Sequence, residues 1–128
     1  EDASLDAVCM SWVIRNVGDR NEVYAEILRV LQPGGGFLCL DTSRPSFAPL
    51  RWATALHLRG TMPLIVRGVG GDMEAYRYLT ESTAKFPMKR PLADEMEAAG
   101  FEVERIKSFA VGCIAAHIAR KPGGTTPE

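Results

Sequence analysis

Apolar residues run almost unbroken through Leu5-Asp6-Ala7-Val8-Cys9-Met10-Ser11-Trp12. That length and character predict a strand buried on both faces, as strands of a parallel sheet are. Asp19 can then cap a helix, and Glu22 stands three residues on, where it could close a capping box. Val23, Ile27, Val30 and Leu31 recur at helical spacing and predict one buried stripe. Pro33-Gly34-Gly35 ends that helix, because proline cannot continue it and glycine accepts the left-handed cap conformation. Gly36-Phe37-Leu38-Cys39-Leu40-Asp41 predicts a second buried strand. Strand, helix and strand with short connections read as a βαβ unit.

The stretch from Ser43 to Gly71 has a different texture. Pro45 and Pro49 break the chain, Leu50 to Leu58 reads as an apolar helix, and Pro63 to Gly71 stays apolar with glycine flexibility. Asp72 can cap another helix carrying Tyr76, Tyr78 and Leu79, which Lys85-Phe86-Pro87 ends or interrupts. Pro91 fits the first turn of a helix through Met96, and Gly100 closes it in the left-handed position. Phe101 to Ile106 alternates as a strand with one wetter face does. Val111 to Ala119 predicts a last strand, antiparallel to its predecessor through a turn near Gly112. The tail, residues 121–128, is polar and turn-rich and is expected to be disordered.

Composition narrows the function classes. The chain has 128 residues, 46% hydrophobic and 24% charged, which suits one small globular domain. Fifteen basic residues against 16 acidic ones leave a net charge of -1, unlike a dedicated nucleic-acid binder. No apolar run approaches the roughly 20 residues that span a bilayer. The N-terminus has neither the basic nor the apolar region of a secretory signal, and the missing initial Met points to a processed or truncated chain. Cys9, Cys39 and Cys113 are too few and too scattered for a disulfide framework, and each sits in an apolar stretch, so buried free thiols are expected. With only His57 and His117 there is no metal cluster to propose.

Candidate chemistry gathers at predicted strand ends. Gly34-Gly35-Gly36 follows a helix and opens a strand, the reverse of a phosphate cradle, and reads as a helix cap. Arg15-Asn16-Val17 lies just past the first strand and Asp41-Thr42-Ser43-Arg44 just past the second, where open α/β sheets bind ligands. A structural Arg15–Asp41 ion pair is the equal alternative. The apolar insertion suits a lid over a ligand or an interface for a partner. Tyr76, Arg77 and Tyr78 offer polar handles beside it, or half-buried packing with wet tips. His117 in the last strand is a core histidine or a catalyst.

One ordered string of motifs then stands out. Leu5-Asp6-Ala7-Val8, Ser11, Arg15-Asn16-Val17, Arg29-Val30-Leu31-Gln32-Pro33-Gly34-Gly35 and Ser43-Arg44-Pro45 come first. Tyr76-Arg77-Tyr78-Leu79, Glu81-Ser82, Phe86-Pro87, Ala98-Ala99-Gly100-Phe101 and Ala116-His117 follow. The string resembles the C-terminal half of the ubiquinone/menaquinone-biosynthesis C-methyltransferases, a class I, S-adenosylmethionine-dependent family. Leu-Gln-Pro-Gly-Gly and Ala-Gly-Phe are shared across class I methyltransferases; Arg-Asn-Val, Tyr-Arg-Tyr-Leu and Glu-Ser are more particular to the quinone-modifying members. The family's glycine-rich turn and ribose-binding acid have no counterpart here, so the chain looks like half an enzyme. Asp41-Thr42 stands where the family usually has Glu-Phe, which shortens a carboxylate arm, and Ala119 where glycine is common.

The resemblance implies an α/β fold: the C-terminal half of a doubly wound, Rossmann-like sheet ending in an antiparallel β-hairpin. Residues 1–120 would be a partial methyltransferase domain, with 43–90 a helical insertion serving as substrate lid. It implies methyl transfer from S-adenosyl-L-methionine to a ring carbon of a prenylated quinol, by a parent enzyme rather than this chain alone. Ser11 would touch the cofactor, Arg15 and Asn16 would orient the quinol oxygen or a water, and Asp41, Tyr78 and His117 complete the catalytic candidates. Leu50 to Val69 would shelter the ring and part of its isoprenoid tail. No metal and no nucleic acid are expected; a homo-oligomer, a cytoplasmic location and peripheral membrane contact are. The competing classes are a non-catalytic lipid- or partner-binding module and a class I methyltransferase of another apolar small molecule.

Overall fold

The computed structural model describes residues 1–123. Strand β1 (Leu5–Ser11) leads through a 3-10 turn (Ile14–Asn16) to helix α1 (Arg20–Val30) and strand β2 (Leu31–Thr42). Helices α2 (Ala48–Gly68), α3 (Met73–Lys85) and α4 (Lys89–Ala99) follow, and β3 (Glu102–Phe109) and β4 (Ile114–Arg120) close the chain. The sheet order is β1-β2-β4-β3. β1 and β2 are parallel, whereas β4 runs antiparallel to both β2 and β3. The fold is α/β, a βαβ unit extended by an antiparallel hairpin.

Local chemistry sets the element ends. The Asp19 carboxylate accepts the Asn21 backbone N–H at 2.9 Å and starts α1, and the Asp72 carboxylate accepts from Glu74 and Ala75 to start α3. Gly100 ends α4 in the left-handed conformation at φ 111°. α1 ends differently from expectation. Its cap is Leu31 in extended conformation, and the turn at Gly34 comes three residues later. Two late carbonyls, Leu28 and Leu31, accept instead from the Lys121 ammonium at 2.6 and 2.8 Å, a cation where the helix dipole favours one. Lys121 also pairs its backbone with Gly34 and Gly35, so the expected disordered tail begins with an anchored residue; 124–128 lie outside the described residues.

Register shows where the core sits. The cross-sheet row Val8–Phe37–Ala119–Val103 and the row Met10–Cys39–His117–Ile106 point toward α1 and α4 and have buried centres. Tyr24, Ile27, Leu92, Met96 and Phe101 pack onto them. The rows between face the other way: Cys9–Leu38–Ile118–Arg105 is largely exposed. This corrects the expectation that both β1 faces are buried. It corrects Cys9 as well, which is an exposed thiol, while Cys39 is buried and Cys113 half-buried. The apolar run stated the strand's demand for cover, but among the described residues helices cover only one face.

Candidate active site at the parallel strand ends

Ser11 is exposed at the C-terminal end of β1. The next residue, Trp12, takes φ 60°, and its N–H donates to the Leu40 carbonyl at 2.9 Å. A left-handed non-glycine residue is strained and needs a surround that holds it. The reversal sends the chain back over the strand ends and drops Ile14 into the core as its anchor, with no exposed surface. Arg15 and Asn16 are thereby fixed next to β2's end.

Asp41 occupies that end and is 1% exposed. Its carboxylate accepts the Arg15 backbone N–H at 3.2 Å and the Thr42 backbone N–H at 2.7 Å. The Arg15 side chain curls over it, with Nε 3.9 Å from Oδ1 and the side chain only 13% exposed. One Arg15 terminal nitrogen donates to Thr83 Oγ1 of α3 at 3.4 Å. Nε itself is buried without a hydrogen-bond partner. Beside it, the Tyr78 hydroxyl donates to Asn16 Oδ1 at 3.1 Å, bridging α3 to the 3-10 turn. Arg15, Asn16, Asp41 and Tyr78 thus form one cluster, and the loose ion pair is only one of its links.

His117 stands apart from this cluster. It is buried on β4 under α4, and its Nε2–H donates to the Lys89 carbonyl at 2.7 Å. Burial lowers its pKa, and the hydrogen bond to Lys89 partly offsets that. Cys39, its cross-strand neighbour, is pushed up to about 12 by burial, with the Asp41 and Cys9 charges adding to it; it is no nucleophile. Two further polar groups near the site, Ser43 and Arg44, belong to the polar run that the sequence places just past β2. Ser43 Oγ is buried without a partner, and Arg44 reaches the Phe86 carbonyl at 3.3 Å with its Nε unpartnered. Their signal was present as Ser43-Arg44-Pro45 directly after a strand end. Two grooves, of about 400 and 470 Å³, lie instead on the open sheet face and include none of these cluster residues.

The described residues build no cradle for S-adenosylmethionine. The glycine triplet is spent on backbone contact: a Cβ on Gly35 would lie 2.9 Å from the Gln32 carbonyl oxygen and 3.1 Å from that of Asp6.

The model of the ubiE/COQ5 methyltransferase family matches residues 1–121. A ubiquinone/menaquinone biosynthesis C-methyltransferase UbiE from Caulobacter vibrioides is 43% identical over 116 residues, covering 91% of this chain and 46% of that protein. A demethylmenaquinone methyltransferase from Bacillus cereus is 36% identical over 122 residues, 95% of this chain and 52% of that protein. The chain spans about half the length of the curated relatives it matches. Among solved structures, the cyclase SpnF superposes with a TM-score of 0.64 at 16% identity, over 96% of this chain and 52% of that one. A SAM-dependent methyltransferase from Aquifex aeolicus gives 0.57 at 15%, over 93% and 47%. These likenesses establish the fold.

Proposed function

We propose, since this chain belongs to the ubiE/COQ5 methyltransferase family, that it forms the substrate-side half of an S-adenosylmethionine-dependent C-methyltransferase acting on a prenylated quinol. The observation that carries this is Arg15: a nearly buried guanidinium at the strand ends with one unpartnered N–H, beside Asn16 and Tyr78. A quinol ring carbon becomes nucleophilic when a neighbouring hydroxyl loses its proton, so a group that favours phenolate there promotes C-methylation. Arg15 holds that oxygen and Asn16 orients it or a water; Asp41 positions Arg15, and Tyr78 fixes the Asn16 amide. His117, bound to a backbone carbonyl beneath α4, serves the core in this reading. S-adenosylmethionine, when bound, supplies the electrophilic methyl group. Ser11 offers it an edge in this chain, and the rest of its site belongs to the full-length protein. The chain alone is accordingly inactive.

The names of the relatives support a quinol as substrate, and α2 and α3 supply apolar cover for its isoprenoid tail. The reading also places the protein in the cytoplasm against the membrane that holds the quinol, with self-association of the isolated chain. In the full-length protein, Arg15→Ala is expected to lower kcat and kcat/KM together by about 100-fold or more while leaving cofactor affinity unchanged. Steady-state kinetics with calorimetric titration of S-adenosylmethionine tests this. Lost cofactor binding with intact turnover per bound cofactor would overturn the assignment.

A further inference from the structure

Charge is distributed unevenly along this chain. From Thr42 to Gly71 there are four arginines, Arg44, Arg51, Arg59 and Arg67, together with His57, and none of the chain's 16 acidic residues. The rest of the chain is net acidic. Most of this segment is the 21-residue helix α2, which buries none of its residues fully. Its inner side touches α3, where the Tyr76 hydroxyl donates to the Leu58 carbonyl. Its outer side carries large apolar side chains in water: Trp52 is 70% exposed, Leu56 58% and Leu64 70%. Arg59 and Arg67 are exposed among them. Among the described residues, Arg51, Arg59 and Arg67 make no ion pair.

We propose that the outer face of α2 is a docking surface for an anionic lipid bilayer, on which the helix lies flat. No described helix is long and apolar enough to cross a membrane. A helix with arginines beside exposed Trp and Leu and no acidic residue matches the chemistry of the interface itself. Tryptophan settles at headgroup depth, and arginines gain from the negative surface potential. A nucleic acid would use the cations but leave Trp52, Leu56 and Leu64 in water; an apolar protein groove would leave the cations unpaired. Because α3 carries Tyr78 and packs on α2, docking there sets the strand-end cluster close to the bilayer surface. The inference extends the quinol reading without resting on it, since its test needs no turnover.

The full chain is mixed with vesicles of phosphatidylcholine alone or with phosphatidylglycerol, and partitioning is followed by sedimentation. Binding is expected only with the anionic lipid and is expected to weaken as salt rises. Replacing both exposed cations (Arg59→Gln with Arg67→Gln) should lower partitioning about 25-fold, from about fivefold per arginine at such a surface. The two tryptophans separate the faces. In a Trp12→Phe variant, Trp52 emission should shift to the blue and be quenched by brominated lipid; in Trp52→Phe, Trp12 should not respond. Undiminished binding by the double arginine variant would overturn the proposal. So would lipid quenching of Trp12 instead of Trp52, or an α2 face occupied by a second copy with no vesicle binding.

Discussion

At Asp41, geometry adds detail to a question that spacing leaves open. Its position opposite Arg15 allowed either a ligand site or a structural ion pair. The structure contains a 3.9 Å side-chain approach and a tighter 3.2 Å bond to the Arg15 backbone. The carboxylate fixes where Arg15 is, and the guanidinium stays under-committed. His117 carries a prediction of its own. Burial favours the neutral ring, so its native pKa lies below the ordinary 6.5. Between those two values the unfolded chain binds more protons than the native one. The stability that depends on the neutral ring is therefore complete above pH 6.5 and is lost as pH falls through the native value. Unfolding free energy measured from pH about 7.5 down to about 5 should fall more steeply for the native chain than for His117→Gln, which keeps a donor without a titrating ring. Parallel profiles would show that the ring is not held neutral. Sequence could place His117 in the last strand, but its bond to the Lys89 carbonyl depends on how α4 crosses the sheet.

At the scale of elements, most ends were legible because their causes are local. Asp19, Asp72, Pro91 and Gly100 act within a few residues of themselves, and each stands where its chemistry predicts. Causes that cross the fold were not legible. α1 is closed by Lys121, about ninety positions away, which made the nearby glycines look like the cap. Tyr24 escaped the stripe because its hydroxyl reads as polar, yet it is wholly buried, edge-on to Phe37 and Phe101. Pro63 did not break α2: it removes one N–H from a turn whose residues 59–61 are all exposed, so the freed carbonyl is open to water. Gly35 gives the sharpest element-level test. A methyl group there would press on the Gln32 and Asp6 carbonyls and wedge β1 from β2. Gly35→Ala should cost about 1–3 kcal/mol in denaturant unfolding. Gly18→Ala, which meets nothing within 4 Å, should stay within about 0.5 kcal/mol. Equal effects would mean that the close approach at Gly35 is not a constraint.

For the whole molecule the decisive feature is a sheet with one dressed face and one bare one. Among the described residues β1 pairs only with β2, so its outer edge presents backbone groups without a strand partner. The opposite edge strand, β3, is studded with Glu102, Glu104, Arg105 and Lys107, charges that discourage pairing with another chain. β1 carries only Asp6 among its seven residues. Next to it lies the bare row of Cys9, Leu38 and Ile118, with Trp12 and Phe109 exposed at its margin. Water can satisfy the edge hydrogen bonds, but it cannot recover the roughly 25 cal/mol per Å² that burying this apolar face would yield. A second copy meeting edge and face together satisfies both needs, and a two-fold arrangement closes the assembly. The isolated chain is therefore expected to gain mass with concentration in light scattering across a dilution series. Leu38→Lys, a charge placed mid-face, should shift that transition to much higher concentration without lowering the unfolding midpoint, because Leu38 is already 38% exposed. A chain that scatters as a monomer at every concentration, with the Cys9 amide on the outer edge nonetheless protected from hydrogen exchange, would show that β1 has found its cover within one molecule.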